Sequence, residues 1–286
     1  MNHLQLFALE DSGPVALPLP GEATSFDNLY DGLSLGVYSS LRTFDHNKFL
    51  YLEWHLARTR KSMKLLGWDF EWDELALRDG LHTVCSAYPG DEMRVRFDVL
   101  AAPAKPLGTE SSVLIGLSPF TPPPQHLYDE GVSVAFAEGL SRENPLVKDA
   151  GFTQTRKVYP IGTPEAYERL LVEEDGAILE GTSSNFYAVR DGQIHTANEG
   201  ILEGITRRIL LEQMTKMSVS LSLTPISIHE VSSVEEAAIS SSSRGLMPVV
   251  SIAGQPIGSS EPGPIFKELR EMYNTFVAQT IRTAID

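Results

Sequence analysis

Leu179-Glu180-Gly181-Thr182-Ser183-Ser184-Asn185-Phe186 sets one carboxylate and a run of small polar residues between two strand-like stretches, Ala177–Leu179 and Asn185–Val189. Downstream, Gly200-Ile201-Leu202-Glu203-Gly204-Ile205-Thr206-Arg207 brings glycine to the start of a helical run, Thr206–Met217. The first turn of a helix offers backbone N–H groups without helical partners, and such termini bind phosphate. Further on, Ser240-Ser241-Ser242-Ser243-Arg244-Gly245 reads as a turn of small residues between strands at Ala237–Ser240 and Met247–Ile252. That turn can add N–H and hydroxyl donors to an anion. Each segment alone matches an ordinary helix start or serine loop; their order in one chain is what carries information.

Working outward, Leu52–Leu66 has Leu52, Leu56, Met63 and Leu66 near helical spacing, with Gly67 as a stop. A second helix is expected around Trp72–Tyr88. Met93–Val99 alternates strictly, as a half-buried strand does, and Ser111–Leu117 reads as another strand. Val132–Ala137 is expected as a strand and Thr163–Leu171 as a helix. The final segment should dock as a helix through Ile265, Leu269, Met272, Phe276 and Ile281. Three consecutive prolines in Pro119–His126 suit a stiff extended connector and no helix or central strand. A boundary there gives residues 1–121 as a small N-terminal α/β domain and 122–286 as a larger β-rich C-terminal domain with flanking helices. Strands and helices mix without regular β-α-β alternation, so the fold class is α+β.

The chain has 286 residues, with 38 acidic against 23 basic ones and a formal charge of −15, which argues against polyanionic partners such as nucleic acid or anionic membranes. At 42% hydrophobic and 21% charged it can bury a sizeable core, which excludes disorder as the working state. The one cysteine, Cys85, cannot form an internal disulfide and reads as a buried, inert thiol in a reducing compartment. Met1–Leu6 lacks the features of a signal peptide, and no apolar run is long enough to span a membrane. A cytoplasmic protein without a metal is the expectation.

Taken together, these segments resemble the class IV, or fold type IV, aminotransferases, which use pyridoxal 5′-phosphate and include branched-chain and D-amino-acid aminotransferases and aminodeoxychorismate lyase. The resemblance runs from about Gly32 to Val250. It rests on Leu35–Phe44 as an early glycine-hydrophobic-aromatic strand and on Glu53-Trp54-His55-Leu56-Ala57-Arg58, similar to an H-L-x-R helix start. Leu179–Phe186, Gly204–Arg207 and Met247-Pro248-Val249 complete it.

The resemblance implies that Lys148 forms the Schiff base, standing 32 positions before Glu180. A partly desolvated amine loses its proton near neutral pH, attacks the aldehyde, and can later carry the substrate α-proton. Lys157, 23 positions before Glu180, is the rival. Glu180 would face the pyridine nitrogen and keep it protonated. Arg58, the N–H groups of Ile205 and Thr206, the Thr206 hydroxyl, and Ser241 and Ser242 would hold the phosphate, although a four-serine run allows the register to shift by one. For substrate, Arg94 and Arg96 share one face of their strand, where an arginine could grip a carboxylate or simply face water. Tyr38 could wall the pocket or belong to the core.

The chain departs from its relatives in three places. Ser39 stands where branched-chain members carry glutamate, and Thr153, beside Phe152, replaces a tyrosine five positions after the lysine. The R-x-H carboxylate trap of D-amino-acid aminotransferases is not visible in Ala101–Gly108. The implied activity is a homodimeric, ping-pong transaminase passing an amino group from an amino acid or amine to a 2-oxo acid. Pyruvate elimination by an aminodeoxychorismate lyase, and a non-catalytic binding protein on the same fold, are the alternatives.

Overall fold

The computed structural model describes residues 4–19, 23, 26, 33–34, 36–70 and 72–283, so Met1–His3 and Leu35, which opens the early-strand motif, lie outside the described residues. Two compact units make up the chain. One comprises Met1–Thr121, Val147–Gln154 and Gln279–Asp286; the other comprises Pro122–Leu146 and Thr155–Ala278.

In the first unit, β1 (Gln5–Glu10), β2 (Gly13–Leu17), β3 (Gly36–Phe44), β4 (Lys48–Phe49), β5 (Met93–Leu100) and β6 (Val113–Pro119) form an antiparallel sheet in the order β2-β1-β6-β5-β3-β4. Helix α1 (Leu52–Leu65) begins after Tyr51, which adopts a left-handed conformation, and ends at Leu66 and Gly67 (φ +70°). Helix α2 (Glu74–Ser86) is capped by Asp73, whose carboxylate accepts the Ala76 N–H at 2.8 Å. Leu52, Leu56 and Met63 of α1 and Leu77, Leu81 and Val84 of α2 share a core with Val95, Phe97 and Val99 of β5.

That apolar face of β5 matches the alternation in the sequence, but the expected half-buried strand is corrected on its other face. Only Arg94 is exposed; Arg96 and Asp98 are buried. Opposite charges two residues apart on one face neutralise each other, and a second cluster including Leu6, Phe26, Leu100 and Leu114 covers the region. Cys85 is fully buried, and burial pushes its thiol up to about 12.

The second unit carries β7 (Val132–Phe136), β8 (Glu168–Val172), β9 (Ile178–Gly181), β10 (Asn185–Arg190), β11 (Gln193–His195), β12 (Ser220–Ser222), β13 (Glu236–Ser241), β14 (Gly245–Ile252) and β15 (Gln255–Pro256). Their order is β12-β11-β10-β13-β14-β7-β8-β9, with β15 on β14, and β9 returns to pair with β10. The ring β10-β13-β14-β7-β8-β9 therefore closes, and its closing pair is Asn185 with Glu180. Alternate residues of these strands, among them Val132, Val134, Phe186, Ala188, Ile239 and Met247, share one core.

The helix expected at Thr163–Leu171 is corrected to a turn followed by strand β8. Its Glu, Ala, Arg and Leu content favours a helix, but parallel pairing to β7 and antiparallel pairing to β9 override local propensity. Helix α3 (Ile205–Met214) follows Gly204. The last helix, α4 (Pro264–Thr283), exists as expected but turned by about one residue. Phe266, Leu269, Tyr273, Val277 and Ile281 are buried, while Ile265, Met272 and Phe276 are half-buried.

Candidate active site

In the first unit, the backbone around Lys148 is tied down on both sides. Tyr38 N–H donates to the Lys148 carbonyl at 2.9 Å, and Lys148 N–H donates to Ser62 Oγ of α1 at 3.2 Å. Val37 also bridges Asp149. The half-buried Lys148 side chain brings Nζ to 4.6 Å from the centre of the Tyr38 ring, and the Arg96 guanidinium stands 4.2 Å from the same ring. The Tyr38 hydroxyl accepts from Thr153 Oγ1 at 3.2 Å. Tyr38, Lys148, Arg96 and Thr153 thus meet around one aromatic ring. Lys157 is exposed, in the turn Arg156–Val158 of the second unit.

Arg58 is buried on α1, and its Nη2 donates to Ser39 Oγ at 2.9 Å. Ser39 Oγ also pairs with His55 Nδ1 at 2.8 Å. Burial, with the positive charges of Arg58 and Lys148 nearby, holds the His55 imidazole well below its ordinary range, so it is neutral. The serine oxygen thus accepts from Arg58 while sharing one hydrogen with Nδ1 of the neutral imidazole. Ser39 therefore serves as a neutral link between a guanidinium and an imidazole. Sequence reading did not find this contact.

The two arginines share one face of β5, as expected, but differ in exposure. Arg94 is exposed, 5.7 Å from the centre of the Phe26 ring. Arg96 is 4% exposed and forks onto Asp98, with Nε to Oδ2 at 2.8 Å and Nη2 to Oδ1 at 2.6 Å. The pair lines a cavity of about 230 Å³ in this unit, with Ser34, Leu100, Thr153 and Gln154 among the other lining residues.

In the second unit, Glu180 is 1% exposed at the seam of the strand ring. Its Oε1 accepts from Arg142 Nε at 2.7 Å; its Oε2 accepts from Asn185 Nδ2 at 3.2 Å and Leu202 N–H at 3.1 Å. Asn185 Nδ2 also donates to the Leu202 carbonyl at 2.9 Å. The carboxylate is therefore fixed against the loop that leads into α3. Gly204 at the head of α3 leaves no room for a side chain, since a Cβ there would lie 2.2 Å from Asn185 Oδ1. Ile205 and Thr206 are buried in the first turn, where backbone N–H groups lack helical acceptors.

Ser241 ends β13, and Ser242 opens the turn to β14. Arg244 Nε donates to Ser241 Oγ at 2.9 Å, so the serine proton can go to another acceptor. The same guanidinium bonds the fully buried Glu168, and donates to Ser183 Oγ at 2.7 Å. Glu168 also accepts from Ser183 Oγ at 2.9 Å and Thr182 Oγ1 at 3.3 Å. Burial pushes the Glu168 carboxyl up, but the Arg244 charge and these bonds outweigh it and hold it below the usual carboxylate range. Arg244 is raised in turn: burial opposes its charge, and Glu168 more than offsets that. One buried ion pair thus fastens the turn after β9 to the serine turn. Arg142 and Glu168 carry no local signal that would have singled them out in the sequence.

The family model described as amino-transferase class IV matches residues 36–252. The chain belongs to the class IV aminotransferase family. Among curated relatives, it is 27% identical over 259 residues to the D-alanine aminotransferase of Bacillus licheniformis, spanning 87% of this chain and 90% of that protein. The structure resembles a putative branched-chain amino acid aminotransferase from Thermotoga maritima, with TM-score 0.78 and 21% identity over 96% of each chain. It likewise resembles a T.th. branched-chain amino acid aminotransferase complexed with N-(5′-phosphopyridoxyl)-L-glutamate, with TM-score 0.78 and 19% identity over 96% of this chain and 94% of that one. At these identities the likeness establishes the fold, which is the fold type IV arrangement expected from the sequence.

Proposed function

We propose that this class IV aminotransferase uses pyridoxal 5′-phosphate to move an amino group between an amino acid or amine and a 2-oxo acid. The observation that carries the reading is Glu180: a buried carboxylate fixed by Arg142, Asn185 and Leu202 N–H beside the start of α3. Its donors suit a carboxylate meant to meet a pyridinium. The neighbouring helix start, with Thr206 and a glycine that admits no Cβ, suits a phosphate. The residues present therefore fit the cofactor.

Glu180 would hold the ring nitrogen; Ile205 and Thr206, with Ser241, Ser242 and Arg58, would hold the phosphate; Lys148 would hold the aldehyde carbon. When bound, the cofactor supplies an electron sink for the substrate α-carbon. The chain's own part is to orient and to move a proton. Ser39 and His55 fix the Arg58 guanidinium, and the neutral imidazole adds no charge beside it. Lys148, set on the Tyr38 ring, carries the α-proton as general base and returns it as general acid. The Glu168–Arg244 pair sets the serine turn. Tyr38 forms the wall beside the lysine.

The family resemblance supports a homodimer, checked by light scattering, and a lone buried Cys85 is in keeping with a reducing, cytoplasmic setting. Purified protein mixed with the cofactor should gain visible absorbance; Lys148→Ala should abolish it and Lys157→Ala retain it. The opposite pattern overturns the lysine assignment, and no band in the wild type overturns the cofactor reading. Amino transfer to 2-oxoglutarate or pyruvate is expected. Pyruvate release from aminodeoxychorismate without an acceptor would move the assignment to the lyase.

A further inference from the structure

The cavity beside Tyr38 contains a cation whose binding face is already taken. Arg96 offers the planar fork that grips carboxylates in two places at once, and Asp98, two residues on along β5, fills that fork at 2.6 and 2.8 Å. Both side chains are buried, at 5% and 0% exposure. The other groups lining the cavity, including Ser34, Leu100, Thr153 and Gln154, are uncharged. The walls therefore sum to zero charge. The volume, about 230 Å³, has room for a short substrate group.

Resting on the transaminase reading, we propose that Asp98 is a specificity-determining residue that closes this cavity to carboxylates. A carboxylate entering would have to displace Asp98, leaving a buried, unpaired charge, or lie beside it as a second anion sharing one guanidinium. An uncharged group meets neither cost and can use the hydroxyls and amide of Ser34, Thr153 and Gln154. The substrate group placed here is thus uncharged: an alkyl chain, a carboxamide, or the plain substituent of an amine.

The test compares isosteric donor pairs on the holoenzyme, glutamate against glutamine and alanine against alaninamide, by kcat/KM. In the wild type the acid of the pair that enters the cavity is expected to be at least tenfold poorer than its amide. Asp98→Asn frees the fork and should raise that acid-to-amide ratio at least tenfold; Arg96→Gln combined with Asp98→Asn should cancel the gain. A wild type that handles both acids as well as both amides overturns the proposal without any variant, as does a ratio unmoved by Asp98→Asn in both pairs. Binding of propionate and propionamide to cofactor-free protein, followed by calorimetry, reads the cavity separately. Preference for propionate in Asp98→Asn and not in the wild type supports the gate even if no donor is turned over, and equal preference in both proteins overturns it. Absence of turnover with every donor bears on the transaminase reading alone.

Discussion

At the residue scale, the buried ionisable groups make the firmest predictions, because their surroundings fix their charge. His55 is held neutral by burial and by Arg58 and Lys148, whereas the unfolded chain binds a proton at an ordinary pKa of about 6.5. The unfolded state therefore takes up more protons as pH falls below that value, and stability should decline there. His55→Gln should flatten this part of a melting-temperature profile between roughly pH 6.5 and 5; an unchanged profile would contradict a neutral imidazole. Glu168 behaves in the complementary way. Its carboxyl is held below the usual range, so its contribution is complete above about pH 4.3 and is lost as pH falls through the lower folded value. Removing its charge with Glu168→Gln leaves Arg244 buried without its counter-ion and should cost about 3–5 kcal/mol near neutral pH. Chemical denaturation reads that loss directly, and a cost under about 1 kcal/mol would show that the pair contributes little.

At the element scale, helix α4 shows a cap supplied from far along the chain. Glu236 of β13 accepts the N–H groups of Ile265 and Phe266 at 3.0 and 2.9 Å, satisfying two first-turn donors. Glu236→Ala should therefore destabilise the second unit by about 1–2 kcal/mol, the usual cost of a lost cap. Hydrogen exchange should report it first in the opening turn of α4; exchange confined to other elements would count against the cap. Periodicity made α1, α2 and the barrel strands legible, since each presents one apolar face to one core. It misplaced the α4 face because two stripes, one through Phe266 and Tyr273 and one through Ile265 and Met272, fit the same helical spacing. It misread Glu168–Val172 because that strand is made by its neighbours on both sides. The candidate site residues that motifs expose are those with unusual local company: Lys148, Glu180, Gly204 and Thr206. Arg142, Asp98 and Glu168 are ordinary in sequence and special only by what the fold brings against them.

At the scale of the whole molecule, the first unit is discontinuous, and that has a consequence for how the chain can be divided. The proline connector invites a cut after residue 121, yet Val147–Gln154 belongs with the sheet before it. That segment supplies the Lys148 carbonyl to Tyr38 N–H, the bridge from Asp149 to Val37, and Val147 to the first core. A fragment of residues 1–121 leaves a β3 backbone donor without its acceptor and a gap where Val147 packs. Removing a buried apolar side chain of this size costs on the order of 1–3 kcal/mol, against a total stability of about 5–15 kcal/mol for a domain. The fragment should therefore melt with reduced cooperativity and expose apolar surface to a dye such as ANS. Returning Val147–Gln154 through a short glycine-rich linker after residue 121 should restore part of the lost stability. A cooperative melt of residues 1–121, indifferent to the added segment, would mean that the lysine-bearing stretch is only a passenger on the first sheet; rescue would mean that the sheet and the lysine are built by one folding unit.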